Sequence, residues 1–531
     1  MSVGTHASAL AAGLAAGLHA GGVRRLFGMP GGGPNLDMIG AAAEQGIGFT
    51  LAHGETAACV MAGAFGLVTG TPGGAIVTRG PGLTNAVNGL AQATLDRAPL
   101  LLVSDRVPES HRDRIVHQRL DQLAVSAAVT RWSGVLGYEE PCAVAAAAAA
   151  LALGPPAGAV HLDFDPGMRG DRPQAPAPSP PLDEAMLGAA LDVARGRRRP
   201  VVLLGLGAVA HATELRALLA DSGVPVLTTY QATGTVPAGS AEWAGPFTNA
   251  ALERPVLDQA DLVVGVGLDA VEPIPAPWFS DTPTVLLSPT VATGDEAYFN
   301  EAIVVVGPPA HALAAVLGVC TPVWPRAAGR HHFEAVKARL RDDGLADGLG
   351  PVELVETVRE CTGDVRLTVD AGAHMLAAMP FWPATRPHGV LISNGLATMG
   401  YALPAAIGAA LATGGTERVV CMTGDGGLGM VAAELETLAR LALPVTVVVF
   451  DDAALTLIEL KQRSGQGDAP AVRFGQVDLA AVARGMGVPA ATAEDAAGVR
   501  AALRSAGPGP FLLDARIDPA SYRHLMAVSR G

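Results

Sequence analysis

Short, almost uninterrupted apolar runs alternate with longer segments of helical composition along much of the chain. Five such runs are clear, at residues 73–78, 99–104, 200–204, 418–424 and 445–450. A short apolar run bounded by glycine or polar residues is typical of a strand that is buried on both faces. The alternation of such strands with helices favours parallel sheets. The pattern therefore predicts an α/β fold built from doubly wound parallel sheets.

Two stretches divide the chain into candidate domains. Residues 168–184 are rich in proline and polar side chains, which predicts an extended linker that runs over the surface. A weaker boundary falls within residues 321–351. The resulting domains cover residues 1–167, 185–320 and 350–531, and three domains are a reasonable number for a chain of 531 residues.

Composition argues against several other classes of protein. The net charge of −14 disfavours a nucleic-acid surface, and no apolar stretch reaches the length that spans a bilayer. The alanine-rich run at residues 143–153 is too short to span and predicts a buried helix. Five cysteines without paired spacing fit a reducing compartment, and the first residues do not resemble a secretory signal. We therefore expect a cytoplasmic protein that binds neither nucleic acid nor membrane.

Two aspartates follow neighbouring predicted strands in the last domain. Asp425 ends the run at 418–424, Asp452 ends the run at 445–450, and residues 429–441 between them have helical composition. A right-handed strand–helix–strand unit brings the ends of its strands to one edge of the sheet. Carboxylate oxygens suit Mg²⁺, and the N–H groups of a glycine-rich turn suit a phosphate. The pattern predicts a site for a metal and a diphosphate; a surface turn with two solvated acids is the alternative.

This segment resembles the cofactor signature of thiamine diphosphate (ThDP) enzymes, in which Gly-Asp-Gly is followed by a helical segment and an Asn pair. Both Asn positions are Asp here, at Asp451 and Asp452. The resemblance implies that Asp425, Asp452 and the carbonyl of Ala454 hold Mg²⁺. The added negative charge is expected to strengthen metal binding and to repel the diphosphate. The implied cofactor-binding residues of the turn are Gly424, Gly426 and Gly427.

A second set of motifs lies in the first domain, where residues 47–55 read as a strand that leads into a helix starting near Glu55. ThDP enzymes place a catalytic glutamate after such a strand, followed by a Gly-Pro-Gly turn with Thr-Asn, and residues 80–85 fit that element. The resemblance implies that Glu55 is catalytic; an acid that only stabilises the helix N-terminus is the alternative. Further residues are implied in cofactor binding (Pro30, Gly31, Gly82, Asn85) and in substrate binding (Gln118).

A third set of motifs lies between the other two. Residues 370–375 resemble an Asp-x-Gly-Gln-His element, and residues 393–411 resemble a Gly-Leu-Gly-Thr-Met-Gly stretch of the same family. The resemblance implies that Met399 supports the bent cofactor and that the carbonyl of Ala397 accepts a hydrogen bond from the amino group of the cofactor. Ordinary core packing is the alternative role for Met399. Gly372 and His374 are the other implied cofactor-binding residues.

The resemblance spans nearly the whole chain and is closest to the branch with acetolactate synthase, pyruvate oxidase and benzoylformate decarboxylase. It implies a pyrimidine-binding first domain, a central domain and a diphosphate-binding last domain. It also implies that Glu55 of one subunit serves the cofactor held by Asp425 and Asp452 of another. We therefore expect a homo-oligomer, with a dimer as the minimum unit and a tetramer as a common larger form.

The central domain carries a weak dinucleotide-binding fingerprint, Gly205-x-Gly207-x-x-Ala210. We interpret it as a packing turn of an α/β domain. FAD-binding relatives often have a Gly-Ala-Arg-Phe-Asp element near residues 264–273, and this sequence lacks its Arg and Phe. The sequence argues against FAD and leaves its binding open.

The choice of substrate depends on the helix after the metal loop and on two arginines. Leu457 and Ile458 match apolar positions of acetolactate synthases, whereas simple pyruvate decarboxylases place a Glu at the position of Ile458. An apolar wall favours carbon–carbon ligation over protonation of the reacting fragment; helix core is the alternative. Arg79 and Arg106 are candidates for binding an acidic substrate, because guanidinium groups bind carboxylates in a bidentate manner. Pairing with nearby acids such as Asp105 or Asp121 is the alternative for both.

The leading hypothesis is a ThDP- and Mg²⁺-dependent carboligase that decarboxylates a 2-oxo acid and transfers the resulting enamine fragment to a second carbonyl compound. One alternative is a ThDP-dependent 2-oxo acid decarboxylase of the benzoylformate decarboxylase type. A non-catalytic ThDP-binding homologue is another, suggested by Asp451-Asp452 and by Gly54, where relatives usually have His. A nicotinamide-dependent dehydrogenase is disfavoured because no acid clearly ends the strand after residues 205–210.

Overall fold

The computed structural model describes residues 3–290, 299, 301–341, 344, 346–463 and 470–530. Within these residues the chain forms three sheets of six strands, and the strands of each sheet are paired in parallel. Parallel neighbours need crossover connections, and the crossover helices cover both faces of each sheet. Strands in such a sheet are buried on both faces, which explains the continuous apolar runs. The predicted α/β fold with three doubly wound parallel sheets is confirmed.

The first sheet occupies residues 25–164. Its strands are β1 (Arg25–Met29), β2 (Gly48–Leu51), β3 (Gly73–Val77), β4 (Leu100–Asp105), β5 (Trp132–Leu136) and β6 (Ala159–Phe164), in the order β2-β1-β3-β4-β6-β5. The surrounding helices are α1 (Val3–Ala20), α2 (Pro34–Glu44), α3 (Glu55–Thr69), α4 (Pro81–Leu95), α5 (Gln122–Ala127) and α6 (Pro141–Leu153). The alanine-rich run lies in α6, and none of the helices in the described part of the chain is long and apolar enough to cross a membrane.

The second sheet occupies residues 200–306. Its strands are β7 (Pro200–Leu204), β8 (Val226–Thr228), β9 (Trp243–Pro246), β10 (Leu262–Val266), β11 (Thr284–Ser288) and β12 (Ala302–Val306), in the order β12-β11-β10-β7-β8-β9. Its helices are α7 (Glu184–Ala194), α8 (Ala212–Leu219), α9 (Arg254–Leu257) and α10 (Pro309–Gly318). Residues 168–183, all of them described, form neither helix nor strand, as the linker prediction requires.

The third sheet occupies residues 366–516. A helix that precedes it, α11 (Ala328–Leu340), lies inside the segment predicted as a boundary. The strands are β13 (Arg366–Val369), β14 (Val390–Ile392), β15 (Val419–Gly424), β16 (Val445–Asp451), β17 (Ala490–Ala493) and β18 (Phe511–Arg516), in the order β14-β13-β15-β16-β18-β17. The helices are α12 (Pro351–Thr362), α13 (Met375–Phe381), α14 (Ala402–Ala412), α15 (Asp425–Val431), α16 (Glu434–Arg440), α17 (Thr456–Arg463), α18 (Leu479–Gly485), α19 (Ala496–Ser505) and α20 (Tyr522–Arg530).

One predicted helix is two helices in the structure. Residues 429–441 are divided between α15 and α16, with a turn at residues 432–433. Three glycines lie within α15, and glycine weakens a helix interior. Glu434, the first residue of α16, accepts hydrogen bonds from the N–H of His53 and from the hydroxyl of Thr437. The break therefore occurs where the helix attaches to the first domain.

The first and third sheets share one strand order and one apolar core. Helix α3 of the first domain packs on α14 of the third, so closely that a Cβ at Gly408 would lie 2.2 Å from the carbonyl oxygen of Met61. Buried Asp96 joins the same two domains, because it accepts from the N–H groups of Asn394 (2.8 Å) and Gly395 (2.6 Å). The two domains form one packed unit within a single chain.

The strand order determines where ligands bind. In the first and third sheets the order reverses between β1 and β3 and between β13 and β15, and in the second sheet it reverses between β7 and β10. Open parallel sheets leave a crevice beyond the carboxyl ends of the strands at such a switch point. The glycine-rich motifs of the sequence follow these strands.

Candidate active site

A cavity of about 780 Å³ lies at the switch point of the third sheet, which is a volume typical of cofactor sites. It is bordered by the ends of β13, β15 and β16 and by residues 270–275 of the central domain. Twelve residues predicted from the sequence line it: Gly372, His374, Ala397, Met399, Gly424, Asp425, Gly426, Gly427, Asp452, Ala454, Leu457 and Ile458. The structure therefore brings together the motifs of residues 370–375, 393–411 and 424–458.

Asp425 and Asp452 both line this cavity, near enough for the charge of Asp452 to act on Asp425. Burial and the nearby charge of Asp452 raise the pKa of Asp425 to about 7. Burial also raises the pKa of Asp452 to about 6, against the hydrogen bonds from the hydroxyl of Thr456 and the N–H of Ala454. A divalent cation between the two carboxylates would offset both burial and mutual repulsion. The donor set therefore fits Mg²⁺.

The loop that carries Ala454 is held in place on both sides. The N–H of Phe474 donates to the carbonyl of Ala453 at 2.8 Å, and the N–H of Leu455 donates to the carbonyl of Val472 at 2.7 Å. Ala453 itself has a φ of 54°, in the left-handed region that non-glycine residues seldom adopt. Strained backbone of this kind is often found at ligand sites, where the surrounding contacts enforce it. The described residues contain no cluster of three or more His, Cys, Asp or Glu side chains that could hold a metal.

The glycine turn and His374 form the adjacent wall. The ring of His374 is fully buried, stacks on Phe450 with 5.4 Å between the ring centroids, and has no hydrogen-bond partner at Nε2. Burial lowers the pKa of His374 to about 4, so the ring is neutral near pH 7. A Cβ at Gly426 would lie 3.1 Å from Leu455, so the glycine keeps the turn free of side-chain atoms. A buried, unpartnered nitrogen beside exposed backbone fits a diphosphate group.

Asp370 connects three parts of the site, although no role was predicted for it from the sequence. Its carboxylate accepts hydrogen bonds from the N–H of Gly400 (3.0 Å), the N–H of Tyr401 (2.9 Å) and the hydroxyl of Thr423 (2.8 Å). A Cβ at Gly427 would come within 2.3 Å of the same carboxylate. Asp370 thus fixes the backbone after Met399 relative to β15. The sequence signal that could have identified Asp370 is its position as the first residue of the 370–375 motif.

Ala397 and Met399 lie on the loop before α14 and line the same cavity as the glycine turn. Ala397 has a φ of 54°, and Thr398 is anchored by its N–H to Ser393 Oγ at 3.2 Å. The left-handed conformation reorients the backbone at Ala397, the position predicted to present its carbonyl to the cofactor. Met399 and Leu457 both line the cavity and give it apolar surface of the kind that an aromatic ring system contacts.

Glu55 belongs to a second group of residues, at the switch point of the first sheet. It is the first residue of α3, is 8% exposed, and accepts a hydrogen bond from Asn85 Nδ2 at 3.2 Å. A Cβ at Gly82 would lie 3.6 Å from its Oε1. Gly31 follows β1 after Pro30, and a Cβ there would lie 2.3 Å from the hydroxyl of Thr78. Glu55, Gly82 and Asn85 are therefore adjacent, and Gly31 is adjacent to the residues that precede the Gly80–Gly82 turn.

The predicted substrate residues of the first domain lie around the Gly80 turn. Gln118 has a φ of 57°, and a Cβ at Gly80 would lie 2.9 Å from its Cβ. Arg79 lies 3.6 Å from the carboxylate of Asp105, the partner that the sequence suggested. Arg106 is 14% exposed and lies 3.5 Å from Asp163 and 3.9 Å from Asp165. Both guanidinium groups thus have acidic partners, and their role in substrate binding stays a prediction.

The two groups of predicted residues are separate within one chain. None of Pro30, Gly31, Glu55, Gly82, Asn85, Arg79, Arg106 or Gln118 is among the described residues that line the cavity. The third domain therefore carries a cavity with metal-binding chemistry, and the first domain carries a glutamate at a glycine-rich turn. Neither group alone has every component that the sequence motifs imply.

Three domain families match the chain in succession. Residues 9–125 match the N-terminal TPP binding domain of thiamine pyrophosphate enzymes, residues 187–316 match their central domain, and residues 370–515 match their C-terminal TPP binding domain. Thiamine pyrophosphate (TPP) is another name for ThDP. Each match includes one of the three sheets or most of it.

Full-length relatives agree with the domain matches. The acetolactate synthase of Bacillus subtilis (strain 168) is 29% identical over 524 residues, which cover 94% of this chain and 91% of the relative. The catabolic acetolactate synthase of Raoultella terrigena is 30% identical over 520 residues, which cover 92% of this chain and 91% of the relative. The large subunit of acetolactate synthase isozyme 1 from Escherichia coli (strain K12) is 26% identical over 527 residues, which cover 94% of this chain and 92% of the relative.

This chain belongs to the thiamine pyrophosphate enzyme family, in the branch that contains the acetolactate synthases. It is thus a ThDP-dependent enzyme, and the family predicted from its motifs is confirmed. The dehydrogenase hypothesis is set aside on the same findings. The residues of the cavity fit ThDP and Mg²⁺, on the evidence of the unpartnered His374 nitrogen, the glycine turn and the two aspartates of raised pKa.

Proposed function

We propose that this enzyme is a ThDP- and Mg²⁺-dependent carboligase, which removes CO₂ from a 2-oxo acid and joins the remaining fragment to a second carbonyl compound. Acetolactate synthases are its relatives over nearly the whole chain. Asp425, Asp452 and the carbonyl of Ala454 hold Mg²⁺ in this proposal. The glycine turn and His374 bind the diphosphate, and Met399 and Ala397 orient the ring system.

When bound, ThDP supplies a nucleophilic carbon and an electron sink for decarboxylation. The contribution of the chain is orientation and proton handling. Glu55 would hold the proton that is exchanged with the cofactor, and Asn85 keeps the carboxyl of Glu55 oriented through its hydrogen bond to Oε2. Met399 and the anchored backbone at Ala397 fix the relative position of the reacting groups, an effect that can be worth several kcal/mol.

The proposal requires two subunits, because Glu55 does not line the cavity of its own chain within the described residues. Exposed apolar side chains lie near both groups of site residues and would be buried by a partner. Leu36 on α2 is 58% exposed, and Met430 on α15, beside the glycine turn, is 62% exposed. We propose a two-fold dimer as the functional unit and a tetramer as its common assembly.

The observation that carries ligation over simple decarboxylation is the apolar wall at Leu457 and Ile458, where simple pyruvate decarboxylases place a Glu at the position of Ile458. Three carboxyl groups line the described part of the cavity, and Asp425 and Asp452 belong to the metal site. The third, Glu272, accepts from the N–H groups of Leu206 (2.9 Å) and Asp269 (3.1 Å) and from the hydroxyl of Thr229. The wall at Leu457 and Ile458 is apolar. Each carboxyl group that this chain contributes to the described cavity wall therefore has another partner or role, which favours transfer of the fragment to a second carbonyl carbon.

Glu272 also bears on FAD. It is buried at the switch point between β7 and β10, and its carboxylate occupies the backbone N–H of Leu206 in the glycine turn where a dinucleotide phosphate would bind. A Cβ at Gly205 would lie 2.7 Å from the same carboxylate. We propose that the enzyme works without FAD. Protein purified with ThDP and Mg²⁺ should be active and show no flavin absorbance; a flavin requirement for activity would contradict this.

The experiment that tests the function is product analysis with pyruvate, ThDP and Mg²⁺. The proposal predicts acetolactate as the main product, with loss of activity when either ThDP or Mg²⁺ is omitted. Free acetaldehyde as the main product would support the decarboxylase alternative. No turnover across a panel of 2-oxo acids, in protein that binds ThDP, would support the non-catalytic alternative. Light scattering and cell fractionation test the predicted dimer or tetramer and the predicted cytoplasmic location.

A further inference from the structure

The end of helix α4 lies where the three domains meet. Asp96 caps this helix at its C-terminus, and its carboxylate accepts a hydrogen bond from Ser393 Oγ at 2.8 Å. The same carboxylate accepts from the N–H groups of Asn394 and Gly395 in the third domain. Its backbone carbonyl accepts from Nε2 of Gln231, in the central domain, at 3.3 Å. One residue of the first domain thus contacts both of the other domains.

The carboxylate of Asp96 lies in an unfavourable environment. It is 1% exposed, and the C-terminal end of a helix disfavours a negative charge. Burial raises the pKa of Asp96, against the hydrogen bonds that its carboxylate accepts. A buried carboxylate is costly unless donors replace the lost water. Apart from Gln92 Nε2, at 3.0 Å, the donors come from residues 393–395, so the carboxylate is retained where it binds the segment that leads into Ala397 and Met399.

Arg97, the next residue, extends to the central domain. Its φ of 55° lies in the left-handed region, which non-glycine residues seldom adopt. Its guanidinium group forms a bidentate pair with Asp269, with Nε 2.7 Å from Oδ2 and Nη2 3.0 Å from Oδ1. Both side chains are largely removed from water, and a bidentate pair fixes direction as well as distance. Asp269 directly precedes residues 270–275, which line the cavity.

Asn394 connects the two segments that Asp96 and Arg97 hold. Its Nδ2 donates to the carbonyl of Val271 at 3.3 Å and to that of Glu272 at 3.0 Å, while its N–H donates to Asp96. Asn394, Val271 and Glu272 all line the cavity. Asp96 and Arg97 are not among the described residues that line it. The two residues at the end of α4 therefore hold two segments of the cavity wall without bordering the cavity themselves.

We propose that Asp96 and Arg97 are positioning residues of the active site. Asp96 fixes residues 393–399, the segment proposed to orient the ring system of ThDP, and Arg97 fixes residues 269–275 of the central domain. Together they set the distance between two parts of the cavity wall that belong to different domains. A misplacement of about 1 Å, caused far from the chemistry, can lower a rate about 100-fold. This inference rests on the proposed ThDP site and adds two residues outside the cavity that determine its shape.

The kinetic test uses Asp96→Ala and Arg97→Met at saturating ThDP and Mg²⁺, with pyruvate as substrate. In each variant kcat should fall about tenfold to 100-fold, because a segment of the cavity wall is displaced. The KM for pyruvate should change by less than about twofold, since neither residue contacts the substrate. A parent value of kcat in either variant, whatever its melting temperature, would overturn the proposal, because that residue would then only hold domains together.

Asp96→Asn is the conservative variant. Its amide oxygen can still accept from the N–H groups of Asn394 and Gly395. Rotation of the Gln92 amide, whose Oε1 has no hydrogen-bond partner, lets that oxygen accept from the new amide nitrogen. We therefore expect kcat to return to within about threefold of the parent value. Equal losses of kcat in Asp96→Asn and Asp96→Ala would overturn the role of Asp96, since these hydrogen bonds would then not matter.

Arg216→Met is the matched control. Arg216 is a half-buried arginine that also joins two domains, because its Nε donates to the carbonyl of Thr235 at 2.8 Å and its Nη2 to that of Thr385 at 3.0 Å. It is not among the described residues that line the cavity. This variant should keep the parent kcat. A loss of kcat equal to that in Arg97→Met would overturn the proposal, because any lost contact between domains would then be enough.

A binding measurement separates this inference from the proposed function. Calorimetric titration with ThDP and Mg²⁺ needs no substrate. Asp96→Ala and Arg97→Met should raise the Kd for ThDP about tenfold, and Arg216→Met should keep the parent value. Weaker binding in the first two variants of a protein that forms no acetolactate would support the positioning roles and reject the carboligase. A parent Kd in both of them would reject the positioning roles, whatever product the enzyme forms.

Discussion

The backbone N–H of Gly80 donates a hydrogen bond to Oε1 of Gln122 at 2.7 Å. The amide nitrogen of the same Gln122 side chain donates to Asp163 Oδ1 at 2.7 Å and to the carbonyl of Asp105 at 3.0 Å. The Gly80–Gly82 turn beside Glu55 is therefore held by a buried amide that does not itself adjoin Glu55. Gln122 is a positioning residue, and it connects the turn to a polar network under the first sheet.

Gln122→Leu should destabilise the protein, because the N–H of Gly80 and the carboxyl of Asp163 each lose a buried partner. Of these two groups, only the N–H of Gly80 is left unsatisfied, because Asp163 Oδ1 keeps its hydrogen bond from the hydroxyl of Ser104 at 2.8 Å. An unsatisfied buried group costs about 1–3 kcal/mol, and each kcal/mol lowers the melting temperature of a domain of this size by about 2–4 °C, so we expect a fall of roughly 2–12 °C. Differential scanning calorimetry measures the change. Gln174→Leu, at an exposed position in the linker, is the control and should melt with the parent enzyme. Equal melting temperatures for both variants would contradict the role of Gln122.

Because of His161, the contribution of the same network to the stability of the folded protein depends on pH. Its ring lies between Ser104 Oγ at 2.7 Å and Ser126 Oγ at 2.8 Å, and burial lowers its pKa to about 3. Between about pH 6.5 and pH 3 the unfolded chain binds a proton at this residue and the folded chain does not. The contribution of neutral His161 to stability is thus present above about pH 6.5 and is lost as the pH falls towards 3.

His161→Gln should therefore weaken the loss of stability in acid. Going from about pH 7 to about pH 5, the parent enzyme should lose about 2 kcal/mol relative to the variant. Asp163 provides an internal check of the sign, because burial raises its pKa to about 7 and its contribution is lost as the pH rises through 7. Asp163→Asn should change the slope in the opposite direction. Melting curves across this range that run parallel for all three proteins would refute the assignment.

Glu55→Gln keeps the size of the side chain and removes the group that holds the proton. Proton transfer by a positioned side chain is worth about 10²–10⁴-fold, so kcat should fall by at least about 100-fold while circular dichroism stays unchanged. Asn85→Ala removes the 3.2 Å bond to Oε2 and should lower kcat by a smaller factor, about tenfold. A value of kcat near that of the parent enzyme in Glu55→Gln would rule out its catalytic role.

Replacement of Asp452 should change the binding of Mg²⁺ and the binding of ThDP in opposite directions. Asp452→Asn removes one negative charge, so more Mg²⁺ should be needed for half-maximal activation. ThDP should bind more tightly to this variant at saturating Mg²⁺, because the carboxylate no longer repels the diphosphate. Quenching of tryptophan fluorescence during ThDP titration measures both effects. Asp258→Asn, an exposed acid of the central domain, is the control. Identical Mg²⁺ curves in the two variants would argue against Asp452 as a ligand.

The sequence predicted the parts of this enzyme that follow from local pattern. The runs at 418–424 and 445–450 became β15 and β16, and parallel pairing brought Asp425 and Asp452 together as the strand–helix–strand rule requires. Glu55 starts α3 as predicted. Each of these depends on residues close together in the chain, or on a general rule about sheets.

The parts that the sequence did not predict depend on tertiary packing. Glu272 accepts a hydrogen bond from the N–H of Leu206, in a turn that lies 66 positions earlier in the chain, and no local pattern identifies such a partner. Lys461 and Arg530 reach one cavity from different helices. The break between α15 and α16 occurs where Glu434 meets His53, a contact between domains. Helix and strand propensities predict none of these contacts, because the contacts form only when the three domains pack against one another.

Complementation between two inactive variants tests the shared site most directly. Glu55→Gln and Asp425→Asn subunits carry different tags, are co-expressed, and are compared with each variant alone. In a random mixture about half of the dimers are mixed, and each mixed dimer has one intact site of two, so activity should return to about a quarter of that of the parent enzyme. Mixed dimers isolated through both tags should be about half as active as the parent enzyme. Isolated mixed dimers without activity would contradict a site built from Glu55 of one subunit and Asp425 of the other.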